Sequence, residues 1–197
     1  MESYKKIMRI IGGKLKNKKI YFPNNSKTRP LKDSVRENIF NIIKHSNNNG
    51  IEIKGSKVLD LYAGTGSFGL ESLSREASKV VFVENNTETV QILRKNIEEL
   101  NCQKKTRLVN AEILKFNDYL TSEEYKEKFN IIFLDPPYKN KEFLELIKII
   151  KIDKLYNDKH LIIIHREIRS EDKIENFINV IEKRVYGRSE IFFCRIL

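Results

Sequence analysis

The stretch Leu59–Glu71, LDLYAGTGSFGLE, decides how the chain is read. An apolar run carries Asp60 near its end, and Gly64-Thr65-Gly66-Ser67-Phe68-Gly69 then matches G-x-G-x-x-G. Between a strand and a helix, such glycines let the backbone adopt positive φ and come close to a ligand beside the unpaired amides of the helix N-terminus. Glu84 follows twenty positions after Gly64, near where a dinucleotide-binding unit places its ribose acid. The motif alone fits more than one adenosine-bearing cofactor.

Outward from the loop, strands and helices alternate. KVLDLY (Lys57–Tyr62) reads as a strand, and the helix after the loop runs to about Arg75. KVVFVE (Lys79–Glu84), TRLVN (Thr106–Asn110), NIIFLD (Asn130–Asp135) and HLIIIH (His160–His165) read as further strands. Val90, Leu93, Ile97 and Leu100 recur at helical spacing as one buried stripe. Short, continuously apolar strands suit a parallel sheet covered by helices on both faces. The last nineteen residues hold two strand-like runs around Tyr186-Gly187-Arg188-Ser189, so an antiparallel hairpin is expected to close the sheet.

Ahead of the loop, MRIIGGKLKNKKIYF (Met8–Phe22) alternates apolar and basic residues around Gly12-Gly13 and Lys16-Asn17, the pattern of a β-hairpin with a cationic face. Asp33 reads as the N-cap of a helix striped by Val35, Ile39, Ile42 and Ile43, and HSNNNG ends it. The expected organisation is α/β: a small basic hairpin-and-helix appendage over residues 1–49, then a Rossmann-like, mostly parallel sheet over residues 50–197.

The 197 residues suffice for one sizeable core, and 40% hydrophobic content argues for a folded globule. The start lacks the apolar core of a signal peptide and no run approaches membrane-spanning length, so a cytoplasmic protein without a membrane partner is expected. Cys102 and Cys194 stand alone and read as reduced thiols, while His45, His160 and His165 lack metal spacing and read as incidental, so no metal is expected. The net charge of +10 is unevenly spread. Residues 1–50 hold twelve Lys and Arg against three acids, and residues 51–197 hold 25 against 24. A basic block joined to a near-neutral globule suits a polyanion, most often nucleic acid.

Two acids refine the loop. A pyrophosphate against the glycines would be repelled by a carboxylate at the strand end, whereas the ammonium and sulfonium of S-adenosyl-L-methionine would be attracted by Asp60. The plainer alternative for Asp60 is a helix cap. Asp135-Pro136-Pro137-Tyr138 ends the fourth strand on the same edge of the sheet. That tetrapeptide suits methyl transfer to an amino nitrogen whose lone pair is delocalised into a ring. Acceptors aimed at both N–H groups, the Asp135 carboxylate and the Pro136 carbonyl, turn the lone pair outward and stabilise the developing positive charge. The prolines stiffen the turn, and Tyr138 offers a face on which an extruded base can stack.

DLYAGTGSFG and DPPY, with this strand order, resemble the class I S-adenosylmethionine-dependent amino-methyltransferases. MRIIGGKLKNKKI followed by TRPLKDSVRENIFNII is similar to the start of the bacterial small-subunit ribosomal RNA guanine-N2 methyltransferases of RsmD type. The resemblance runs from about Met8 to Leu197. It implies a Rossmann-like methyltransferase sheet, S-adenosylmethionine as cofactor, and 16S ribosomal RNA as partner, either free or within the small subunit or an assembly intermediate, with the protein a monomer. By position it makes Asp60, Gly64 and Gly66 the methionine-side contacts and Glu84 the ribose acid. Asn85, Glu112 and Ile113 line the adenine pocket, and Asp135, Pro136, Pro137 and Tyr138 form the target-base site. Two departures stand out: Ala111-Glu112-Ile113 replaces a Gly-Asp-Ala, and Leu31 replaces the threonine of R-P-T.

Arg9, Lys14, Lys16, Lys18, Arg29 and Arg36 are the candidate RNA contacts, the two later arginines being placed either to reach RNA or to brace the cofactor loop. The same DPPY chemistry serves adenine N6 in RNA or DNA. The glycine loop with Glu84 keeps an NAD-dependent oxidoreductase open, and an inactive RNA-binding factor is a third alternative.

Overall fold

In the computed structural model, residues 6–23, 31–45, 50–120, 127–137, 140–168 and 174–196 are described. β1 (Lys6–Arg9) and β2 (Lys19–Phe22) form an antiparallel two-stranded ribbon with Met8 opposite Ile20, followed by α1 (Asp33–His45). Then come β3 (Lys57–Leu61), α2 (Ser67–Ser74), β4 (Lys79–Glu84), α3 (Thr87–Glu99) and β5 (Thr106–Asn110). A 3-10 segment, Ile113–Tyr119, leads toward β6 (Phe129–Leu134), α4 (Phe143–Ile152), β7 (Tyr156–Glu167), β8 (Asn179–Tyr186) and β9 (Ser189–Arg195). The expected strands are all present; α4 and the 3-10 segment are not among the elements that sequence pattern placed.

The larger sheet has the order β5-β4-β3-β6-β7-β9-β8, parallel through β7 and antiparallel for the last two strands. The continuous apolar runs have the physical reason expected of them, because alternate residues enter different cores. Val58, Val80, Phe82, Ile131, Phe133 and Leu161 face one cluster, whereas Leu59, Val81, Val83, Ile132, Leu134 and Ile162 face the other. Each fully buried aliphatic side chain contributes about 1.5–3 kcal/mol.

The basic segment is part of that first core. Ile10, Ile20, Phe22, Val35, Ile39 and Phe40 join the cluster, and the Phe40 ring stacks on Phe68, which stacks on Phe133. The compositional boundary between residues 49 and 50 adjoins residues 46–49, outside the described residues, and the elements on its two sides share apolar packing. Cys102 and Cys194 are buried free thiols. Among the described residues no helix is long and apolar enough to cross a membrane.

The sheet order reverses between β3 and β6, and at such a switch point the adjacent carboxyl ends border the crevice in which open α/β sheets bind ligands. The glycine loop leaves β3 there, and the diproline turn leaves β6.

Candidate active site

Gly66 is left-handed at φ 85°, and a Cβ on it would come within 2.4 Å of the Leu93 side chain, so the turn into α2 requires glycine. Gly64 is also left-handed at φ 56°, but a Cβ there would meet no protein atom within 4 Å. The space beside Gly64 is therefore open, as a ligand cradle must be.

Asp60 ends up buried beneath the loop, 1% exposed, with Oδ2 accepting the Gly69 amide at 2.9 Å. The N-cap of α2 is Gly66, which brings no side chain, so the preceding strand supplies the carboxylate that caps the helix. The helix-cap alternative for Asp60 is what this hydrogen bond shows. Burial pushes its carboxyl well above the usual carboxylate range and the charges of Asp135 and Glu84 add to this, while the Gly69 amide pulls the other way. Three carboxylates converge on the crevice, and a cation bound among them would relieve their repulsion.

Glu84 is tied to the loop by its own backbone neighbours. Oε2 accepts from the Gly64 amide at 2.8 Å, and Oε1 accepts from Asn85 and Asn86 at 3.0 and 2.9 Å. Lone pairs remain for a vicinal diol. Asn85 is exposed beside it. Glu112 is exposed and pairs with Lys115 at 2.8 Å, which holds its carboxyl below the usual range, and Ile113 next to it is buried.

Asp135 follows β6 with its side chain 26% exposed. Its Oδ1 lies 2.7 Å from His165 Nδ1, and His165 Nε2 lies 2.9 Å from Ser189 Oγ. Behind the turn, the wholly buried Arg166 donates to the carbonyls of Pro137 at 3.2 Å and Pro136 at 3.4 Å and rests on the Phe143 ring. The Pro136 carbonyl has a second lone pair left for a substrate amino group. Pro136 is buried and Pro137 exposed, while Tyr138 lies outside the described residues. His165, read as incidental, is in contact with Asp135. The signal was strand register, since Leu134 stands opposite Ile164 and the next residues on each strand are Asp135 and His165.

The candidate RNA contacts divide. Arg9, Lys14, Lys16 and Lys18 are exposed, Lys14 pairing with Glu76 at 2.7 Å and Arg9 approaching Asp33 at 3.9 Å. Arg29 lies outside the described residues. Arg36 as an RNA contact is corrected: it is wholly buried, donates to the Arg9 carbonyl and to Asp33, and lies 3.9 Å from the buried Glu71. Only Nη2 makes these hydrogen bonds; Nε and Nη1 are buried without a hydrogen-bond partner among the described residues, and desolvation pulls the pKa down against the opposing charges of Glu71 and Asp33. Its role is to brace.

The ribbon is also bonded to the glycine loop. Asn96 of α3, fully buried, accepts the Tyr21 amide at 2.8 Å and donates to the carbonyls of Tyr21 at 3.1 Å and Thr65 at 3.0 Å. Glu71 of α2 accepts the Ile11 and Gly12 amides at 2.7 and 2.8 Å and the Arg75 guanidinium at 2.8 Å. Neither residue carries a signal in the sequence beyond being polar on an apolar face.

The family model described as conserved hypothetical protein 95 matches residues 8–195. "Ribosomal RNA small subunit methyltransferase D" of Escherichia coli is 31% identical over 163 residues, 83% of this chain and 76% of that protein. The protein of the same name from Buchnera aphidicola is 29% identical over 184 residues, covering 93% and 90% of the two chains. The solved structure of "Putative methyltransferase yhhF from Escherichia coli" superposes with a TM-score of 0.78 at 27% identity, over 96% of this chain and 97% of that one. Loop, acids and diproline turn sit at one crevice of a sheet shared with these proteins, and the chain belongs to the conserved hypothetical protein 95 (RsmD) family, methyltransferases of the S-adenosylmethionine-dependent class I fold.

Proposed function

We propose that the chain methylates the exocyclic N2 of a guanine in 16S ribosomal RNA, with S-adenosylmethionine as donor. The observation that carries the reading is the convergence of Asp60, Glu84 and Asp135 on one crevice beside the open face of Gly64. The family and the names of the relatives support the substrate class.

The residues present fit that donor. Asp60 faces its cationic methionine end, Gly64 and Gly66 provide the close backbone, Glu84 holds the ribose hydroxyls, and Asn85, Glu112 and Ile113 border the adenine. When bound, the donor supplies a methyl group on a positively charged sulfur, which leaves as a neutral thioether. Asp135 and the Pro136 carbonyl accept the two N–H groups of the base, so the nitrogen lone pair is turned toward the incoming carbon, its developing charge is met by acceptors already in place, and the methylated nitrogen then releases one of its protons to solvent. Tyr138 stacks on the extruded base. Arg9, Lys14, Lys16, Lys18 and Arg29 grip phosphates, orienting the RNA without reading its sequence.

Tritiated S-adenosylmethionine, offered with naked small-subunit RNA and with subunit particles, tests this when the labelled nucleosides are separated by mass. N2-methylguanosine is the expected product. Label found only in N6-methyladenosine replaces guanine by adenine, and label absent from both substrates defeats the reading. The Asp135→Asn variant is expected to lower kcat about 10²–10³-fold.

A further inference from the structure

We infer that His165 is a positioning residue for Asp135, fixing one carboxylate oxygen so that the other is presented to the substrate amino group. The inference rests on the role proposed above for Asp135. The imidazole is 6% exposed and sits between β6 and β9, joined to Asp135 Oδ1 at 2.7 Å on one side and to Ser189 Oγ at 2.9 Å on the other. Register builds this line of contacts. Ile164 lies opposite Leu134 on one side of β7, and His165 lies opposite Ile191 on the other, with Ser189 two positions back from Ile191. Side chains two apart on a strand share a face, so the serine meets the ring diagonally.

The chemistry assigns the direction. An ionised carboxylate only accepts, so the Nδ1–H donates to Asp135, and the Ser189 hydroxyl, able to donate or accept, completes the ring at Nε2. The terminal torsion of an aspartate is soft, and a partly exposed carboxylate without that donor rotates toward water. An acceptor aimed at a base amino group has to hold its place, since a displacement of about 1 Å costs on the order of 10²-fold in rate. A ring that merely filled space between strands would be indifferent to which of its nitrogens carried the donor.

Two substitutions separate these roles. His165→Asn keeps a donor near the position of Nδ1, within reach of Asp135, and loses the reach to Ser189. His165→Gln extends its amide toward the position of Nε2, keeps Ser189 and abandons Asp135. With wild type active on small-subunit RNA or particles, His165→Gln is expected to lower kcat about 10–100-fold while KM for RNA and affinity for S-adenosylhomocysteine change less than about twofold. His165→Asn should stay within about fivefold of wild type, and adding His165→Gln to Asp135→Asn should cost nothing further. Equal rates for the two single variants, or a double variant slowed by the product of the two effects, overturn the inference and leave the Asp135 role standing. An Asp135→Asn variant as fast as wild type overturns that role, and this inference with it.

A measurement on intact side chains guards against misfolded variants. The imidazole nitrogen resonances of His165 should shift between wild type and Asp135→Asn, while those of His45 and His160 hold. An unmoved His165 signal overturns the contact.

Discussion

Two buried carboxylates flank the glycine loop, Asp60 before it and Glu71 after it, and their surroundings are opposite. Glu71 is wholly buried, yet it accepts two ribbon amides and one guanidinium, with Arg36 as a second cation nearby. Asp60 is 1% exposed, accepts one amide, and faces the negative charges of Asp135 and Glu84. The first acid is complete and acts as a joint between the ribbon and α2. On the function proposed above, the second is completed by the positive end of the donor. Burial does not separate the two acids; the sign of the neighbouring charges does.

Breaking the joint gives the largest expected effect on stability. Glu71→Ala leaves Arg36 buried without its main acid and should cost about 3–5 kcal/mol in denaturant unfolding, with Glu71→Gln milder. Asn96→Leu sharpens the same side of the contrast. It strands the Tyr21 amide and carbonyl and the Thr65 carbonyl, and should cost about 1–3 kcal/mol by the same measurement.

Asp60→Asn tests the second acid, with the opposite sign for stability. A carboxyl whose folded value lies above its ordinary 3.8 holds its proton more tightly folded than unfolded. Its stabilising contribution is therefore complete below 3.8 and is lost as pH rises through the raised folded value. Asparagine avoids that loss, so the ligand-free variant should melt higher than wild type at neutral pH, with the advantage shrinking toward 3.8. Its affinity for S-adenosylhomocysteine, read by calorimetry, should fall about tenfold or more, because a charged acceptor for the ammonium is gone. A variant that melts lower and binds equally well would erase the distinction between the two acids. The smallest effects belong to the surface. Lys16→Ala or Lys18→Ala should each weaken RNA binding severalfold at most, lowering the slope of log affinity against log salt by about 0.7–0.9 for each phosphate no longer neutralised.

Local pattern carried most of the architecture. Apolar runs bounded by turn residues located β3 to β7, and the helical stripes on α1 and α3 are buried where expected, with only Ile42 partly covered. Asp60 and Asp135 were legible because each closes a strand beside a turn of unusual composition. What stayed hidden depends on partners distant in sequence. Glu71 meets Ile11 across 60 positions and Asn96 meets Tyr21 across 75, distances over which periodicity says nothing. Arg36 looked like a surface cation within a basic segment, and only helix packing turns it inward. His165 needed the register of two parallel strands.

The amide of Asn96 serves two masters. One side chain fastens Tyr21 in the cationic ribbon and Thr65 in the turn that precedes α2, so a shift in either is felt at the other through a single rigid plane. Anyone retargeting this scaffold to a different transcript would do better to vary the outward lysines than to transplant the whole ribbon, since a foreign ribbon would arrive with its own tension on the nucleoside cradle.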